Sequence, residues 1–298
     1  MMQRLVRSLC FCILLAGAAF AQINSPNFRY VAIDFPGAFF TDATGINNFG
    51  EIVGFYAQGT NCFAGSVSDS CPAHGFKLVN KVFTTIHISG ALHTRISGVN
   101  DGGDVVGTFE TSAHVVHGFL LHHTGQLQII DPPSPMSGTP QGVNNSLVVV
   151  GGDFRWQNGK FTAIDFAAPN TGESQVLNGI SNPGVIVGTL FRGDVLHGLV
   201  KAGGDVDIFQ INGQDTLVNG VNGRGDLVGT GPVGNGGYVT FHFEANETND
   251  KPERPPNPII ILFPGSSETF PSSINYQQAI VGTYHNSDSL DHGFLAVH

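Results

Sequence analysis

An all-β fold, a six-bladed β-propeller with four strands per blade, is what the sequence predicts. Three observations carry it. A ten-residue phrase occurs six times without insertion, at 45–54 (GINNFGEIVG), 98–107 (GVNDGGDVVG), 142–151 (GVNNSLVVVG), 179–188 (GISNPGVIVG), 220–229 (GVNGRGDLVG) and 273–282 (SINYQQAIVG). Its copies start 53, 44, 37, 41 and 53 residues apart, a period that suits four short strands. The chain also holds 40 Gly and 23 Phe but only 12% charged residues, where about 25% is ordinary, which fits short strands and turns around an aromatic core.

Each phrase reads as two strands joined by a tight turn. Asn, or Ser181 in the fourth copy, opens the turn because its side chain can bond the backbone two residues on. Gly50, Gly103, Gly184 and Gly225 stand where the turn needs a left-handed residue. Leu147 and Gln278 replace that Gly, so those two turns are expected to be strained or differently shaped. After the turn, apolar residues such as Ile52-Val53 and Val105-Val106 occupy consecutive positions. A strand apolar on both faces belongs to a sheet sandwiched between neighbours.

Around each phrase lies a larger unit. Upstream is a strand ending in Asp and a turn: Ile33-Asp34-Phe35-Pro36, Ile130-Asp131-Pro132 and Ile164-Asp165-Phe166, with weaker copies at 86–90, 208–210 and 261–265. Downstream is a His-Gly-apolar strand at His74-Gly75-Phe76, His117-Gly118-Phe119, His197-Gly198-Leu199 and His292-Gly293-Phe294. Phe154-Arg155-Trp156 and Gly237-Tyr238-Val239 fill that slot in the other two units. With these residues in hand, the chain resembles the extracellular repeat proteins of the HAF family, named for a His-Ala/Gly-Phe signature. The resemblance covers nearly all of the chain after its leader and implies an extracellular location and a repeat architecture, with no mechanism attached.

Residues 1–21 read as a signal peptide: Arg4 and Arg7, an apolar run from Leu9 to Leu15, then Ala19-Phe20-Ala21 as the cleavage site. The product is expected to begin at Gln22 as a single domain over 22–298, with no membrane span. The formal charge of −10 becomes −12 without Arg4 and Arg7, which argues against nucleic acid and anionic membrane as partners. Two cysteines remain, Cys62 and Cys71. In an exported chain they are expected to form a disulfide, closing a short loop for roughly 2.5–3 kcal/mol. A two-cysteine metal site would lack a second ligand pair, since His74 alone is insufficient.

The order of strands suggests how the ring shuts. Counted from the phrases, the last blade lacks an outermost strand, and residues 29–34 are placed to supply it, covering an edge that would otherwise be open. Turns within the phrases are short and uniform, so that face reads as scaffold. The opposite face carries the variable connections, the longest at 57–73 with both cysteines, and others at 132–141 and 166–175. Residues 244–258 read as a polar, proline-rich surface loop.

Chemistry is thinly signalled. The four histidines occupy one slot of different blades, so symmetry spreads them apart, and each is expected to bond a neighbouring backbone. Asp34, Asp131 and Asp165 read as turn openers on outer strands. Arg224-Gly225-Asp226 falls on the shared tight turn, which makes its integrin-type spelling a coincidence. The sequon at Asn144 lies inside the buried phrase, and the one at Asn246 matters only in a glycosylating host. Gly-x-Ser-x-Gly, His-Glu-x-x-His and phosphate-loop motifs are absent, and Asp153 and Asp194 make no catalytic pair. No metal and no cofactor are expected.

The leading expectation is a secreted monomer that binds or scaffolds in the cell envelope or extracellular space, with a glycan or another envelope protein as ligand. The rim aromatics Phe39, Phe40 and Phe63 are its candidate stacking platforms. The alternative is a cation-dependent hydrolase or lyase with its site at the channel mouth.

Overall fold

The structure is a computed structural model that describes residues 28–59, 62, 68–166, 172–211, 213–233, 237–241, 259–288 and 290–298. Residues 1–21, Phe63 and the 244–258 segment with its sequon lie outside the described residues.

The chain enters as β1 (Arg29–Ile33), and among the described residues the strands form six four-stranded antiparallel sheets. The first is β2 (Phe40–Ile46), β3 (Ile52–Ala57), β4 (Ala73–Val79) and β5 (Val82–Ile86). The second is β6 (Ala91–Val99), β7 (Val105–Thr111), β8 (Val116–Leu121) and β9 (Leu127–Ile129). The third is shorter, with β10 (Gly142–Val143), β11 (Val149–Gly151), β12 (Phe154–Gln157) and β13 (Lys160–Ala163). The fourth is β14 (Ser174–Ile180), β15 (Ile186–Arg192), β16 (Val195–Ala202) and β17 (Asp205–Phe209). The fifth is β18 (Leu217–Val221), β19 (Leu227–Val233), β20 (Gly237–Phe241) and β21 (Ile259–Ile261). The last comprises β22 (Glu268–Ile274), β23 (Ile280–His285) and β24 (Asp291–Val297). Its fourth strand is β1, in the order β1-β24-β23-β22, with Arg29 opposite Val297 and Ile33 opposite Gly293. The N-terminal strand thus covers the open edge of the C-terminal sheet, the place its sequence position suggested. The fold is an all-β propeller built of four-stranded antiparallel blades.

The paired apolar residues of the phrase explain how the sheets pack. Neighbouring residues of a strand point to opposite faces. Ile52 therefore packs between the last and first sheets and Val53 between the first and second. The division repeats at Val105 and Val106, Val149 and Val150, Ile186 and Val187, Leu227 and Val228, and Ile280 and Val281. All six residues at the second of these positions are fully buried. Each consecutive pair of sheets shares one apolar cluster, and the last sheet shares one with the first. Each such side chain contributes about 1.5–3 kcal/mol by burial. The Phe of the His-Gly-Phe strand joins the same clusters, with Phe76, Phe119 and Phe294 fully buried.

The turns follow their residues. Gly50, Gly103, Gly184 and Gly225 have φ of 77, 80, 94 and 85°. Leu147 and Gln278, without glycine's freedom, are held in the same left-handed region at φ 55 and 62°. Such a conformation costs an L-residue about 1–2 kcal/mol, so these two turns are strained as expected.

The final Gly of every phrase has a different cause. In five of the inner strands a bulge opens just before the phrase, at Thr44, Ser97, Asn178, Asn219 and Ser272. The carbonyl beside it crowds the second strand. A Cβ on Gly54 would lie 1.9 Å from the Asp42 carbonyl oxygen, and one on Gly107 would lie 2.0 Å from that of Arg95. The other four positions show 1.9–2.2 Å to their own carbonyls.

Candidate functional site at the channel

The inner strands converge on the axis at the first residue of the phrase. A Cβ on Gly45 would come within 3.2 Å of Gly98 Cα, and one on Gly220 within 3.0 Å of Ser273 Cα. Just above this girdle sits a belt of buried amides. Asn47 Nδ2 donates to Asn100 O (3.0 Å), Asn100 Nδ2 to Asn144 O (3.3 Å) and Asn144 Nδ2 to Ser181 O (3.3 Å). Asn222 Nδ2 donates to Asn275 O (2.9 Å), and Asn275 Nδ2 returns to Asn47 O (3.1 Å). The same Asn side chains cap their own turns: Asn47 Oδ1 accepts from the N–H groups of Phe49 and Glu51, both at 3.0 Å. The residue thus holds its local turn with one atom and the next sheet with another. Sequence reading found the first role and not the second.

One link of the belt is missing because Ser181 has no amide. Ser181→Asn is therefore expected to add a bond to Asn222 O and to raise stability by about 1 kcal/mol in urea denaturation. An unchanged or lower midpoint would show that the belt does not stabilise the ring.

On the turn side the channel is nearly closed. A cavity of about 90 Å³ is lined there by Asn48, Asp101, Asn182 and their neighbours. Asp101 takes hydrogen bonds from Asn48 N and Nδ2 (2.9 Å each), Asn145 Nδ2 (2.8 Å) and Asn182 Nδ2 (2.9 Å). Burial alone would raise its pKa, but these donors outweigh burial and hold the carboxyl below its ordinary range.

Toward the loop side the channel widens into a cavity of about 460 Å³. Its floor is the residue preceding each phrase: Thr44, Ser97, Gln141, Asn178, Asn219 and Ser272. Every one is polar, a regularity visible in the sequence but without meaning until the inner strands bring these side chains to the axis, five of them at a bulge. Several also tie neighbouring sheets together. Thr44 Oγ1 donates to Ile96 O (2.8 Å), Asn178 Nδ2 to Val218 O (2.9 Å) and Asn219 Nδ2 to Pro271 O (2.9 Å). Higher on the wall, the Arg95 guanidinium lies 5.2 Å over the Phe55 ring, with Thr108 and Thr139 nearby.

The seam between the first and last sheets reaches the same rim. Asp42 accepts from Thr283 Oγ1 at 2.9 Å. Burial, and then the Asp291 charge, push its pKa up to about 7, against the Thr283 bond, Arg95 and His285. Asp291 pairs with His285, whose other ring nitrogen faces Glu268 at 3.1 Å.

The sequence-nominated residues divide. The Cys62–Cys71 disulfide is present, with Cα atoms 5.1 Å apart, and clasps the longest loop on the variable face. Phe39 is 36% exposed at the start of β2. Phe40 requires correction: it is 2% exposed, packed with Ala57 and the disulfide and edge-on to Phe55, so it offers no face to a ligand. The disulfide covers the side it presents.

The histidines also differ from expectation. His117 Nδ1 meets Asp131 Oδ2 at 2.7 Å, and His292 Nδ1 meets Asp34 Oδ1 at 2.9 Å. The partner is a carboxylate just past the outer strand of the same sheet, not a backbone group. The signal was the joint occurrence of His and Asp in the second and last units, whereas His74 faces His87, with ring centroids 5.6 Å apart. His197, whose unit carries Gln210 at the Asp position, has a buried Nδ1 with no partner among the described residues. Asp165 has no histidine in its own unit's slot. The pairs stay on separate sheets, and among the described residues no group of three or more His, Cys, Asp or Glu could hold a metal ion. Asp226 of the Arg-Gly-Asp turn is 1% exposed and accepts from Asn222 and Gln278, so that triplet is not presented. No helix among the described residues is long and apolar enough to cross a membrane.

No family model matches the chain, and no curated protein matches it. Among solved structures, the chain is similar to the β-propeller domain of the Trilobed protease from Pyrococcus furiosus, described as having an open velcro topology. That match has 11% identity and a TM-score of 0.49, covering 87% of this chain and 81% of the other. It is also similar to an Aleuria aurantia lectin mutant in complex with α-methyl-L-fucoside. There the identity is 10% and the TM-score 0.44, with 90% and 91% of the two chains covered.

Proposed function

We propose that this chain is an exported, closed six-bladed propeller of the HAF type that binds its ligand at the loop-side mouth of the channel. The ligand class is an envelope glycan or envelope protein. One observation carries the reading: a cavity of about 460 Å³ whose lining is almost wholly hydroxyl and amide groups, with one guanidinium stacked on one aromatic ring. Its size falls in the range of ligand pockets, about 300–1,000 Å³. Neutral donors and acceptors fixed on strands suit recognition of a polar, uncharged surface. The shared cluster between last and first sheets, together with the β1–β24 pairing, supports closure of the ring. The disulfide and the leader-like 1–21 segment support export. Phe39 remains a stacking platform on the rim.

Ser272→Phe fills the cavity floor from one side. Glycan arrays and envelope extracts probed with wild type and this variant are expected to show binding that the variant loses at unchanged melting temperature. Binding retained by a folded Ser272→Phe would remove the channel mouth as the site.

A further inference from the structure

We propose that the loop-side mouth takes a carbohydrate bearing a carboxylate, a uronic-acid unit, with Arg95 as its anchor. This deepens the binding reading above and rests on it.

Among the described residues Arg95 is the sole cation lining the cavity. It is exposed, and among the described residues it makes no hydrogen bond and no ion pair, its charge acting on Asp42 only at longer range. That is unusual for a cation in a chain of formal charge −10, where carboxylates are plentiful. The Phe55 ring supports one face of the guanidinium, so its in-plane N–H fork stays available for a carboxylate. Glu110 lines a side cavity of about 150 Å³ next to Arg95 but is engaged by His114 Nδ1 at 2.8 Å.

The rest of the lining specifies what surrounds that carboxylate. Asn178 and Asn219 each direct an amide N–H to the next strand, leaving their side-chain carbonyl oxygens as acceptors. Thr44 likewise donates its hydroxyl proton to Ile96 O. Acceptors of this kind call for a ligand rich in hydroxyl donors. A dianionic phosphate group would meet one cation among acceptor oxygens and fit poorly. A polyol with a single carboxylate supplies both the donors and the one negative charge.

The test is calorimetry with the full chain lacking 1–21, using a trisaccharide with one terminal uronic-acid unit and the same trisaccharide after carboxyl reduction. The acid is expected to bind at least tenfold more tightly. Arg95→Gln should lose at least tenfold for the acid and leave the reduced sugar unchanged, and Arg95→Lys should recover part of the loss. Inorganic sulfate at equal concentration should not compete. Equal binding of the two sugars by wild type overturns the carboxylate assignment while leaving the mouth as a binding site. Competition by sulfate overturns it as well, by showing a plain anion site. If wild type binds neither sugar, the uronic-acid assignment fails, and the Ser272→Phe comparison decides the mouth separately. A shifted melting temperature in Arg95→Gln would be met by the Arg95→Lys variant, which keeps the charge.

Discussion

Gly107→Ala is expected to cost about 4 kcal/mol or more and to abolish cooperative folding near physiological temperature. The added methyl would sit 2.0 Å from the Arg95 carbonyl oxygen and 2.9 Å from Ile96 Cα, both backbone atoms of an inner strand. That strand cannot retreat, because the bulge between Ile96 and Gly98 already displaces it and Ile96 is buried against the first sheet. Overpacking of side chains typically costs 1–3 kcal/mol because rotamers can move; here both sides of the clash are hydrogen-bonded backbone. Gly159→Ala supplies the control. Its φ is +78°, with nothing within 4 Å of the added atom, so it should cost only about 1 kcal/mol. Urea denaturation of both variants separates crowding from backbone conformation. Similar losses at the two positions would show that the carbonyl approach does not govern the phrase.

Asp42→Asn is expected to stabilise the protein by roughly 2–3 kcal/mol at pH 8 and by little at pH 4. The folded-state pKa of Asp42, about 7, lies above its ordinary value of 3.8, so folding favours the protonated acid. The destabilisation is therefore complete above pH 7 and fades as pH falls toward 4. Asn keeps an oxygen for the Thr283 hydroxyl and removes the charge that Asp291 opposes. His292 acts in the same direction at the same closure. Burial lowers its pKa, but bonds to Asp34 and Asp288 outweigh this and raise it above 6.5. Its contribution is complete below pH 6.5 and is lost as pH rises through the higher folded value. Asp34 follows β1, so the clasp between the chain's two ends is expected to loosen at alkaline pH. Thermal unfolding of wild type and Asp42→Asn between pH 4 and 8 checks this. A gain independent of pH would mean that the Asp42 charge is not what strains the seam.

Both predictions depend on features that differ in how far the residues announced them. The turn glycines, the strained Leu147 and Gln278, and the paired residues such as Ile52-Val53 were legible because each reflects a preference that one residue imposes on its own backbone or its own two faces. The four-stranded repeat and the docking of β1 on β24 followed from counting strands against phrases, since an uncovered edge is unfavourable. The Cys62–Cys71 bond followed from having two cysteines close in sequence.

Other features required the sheets to be placed in space. The polar residue before every phrase is an ordinary strand residue until the inner strands gather around the axis, and the amide belt joins Asn275 to Asn47 across 228 residues. His117 and Asp131 each looked like a local turn or strand residue, and only adjacent strands made them partners. Phe40 looked like a rim aromatic because strand periodicity cannot say which side a disulfide will cover. Arg95 carried no motif at all. Sequence alone determined the repeating strand-and-turn unit and its apolar faces, because those are properties of short stretches. The channel, its polar floor and its stacked cation were decided only by tertiary structure, because they arise where side chains from different sheets meet around one axis.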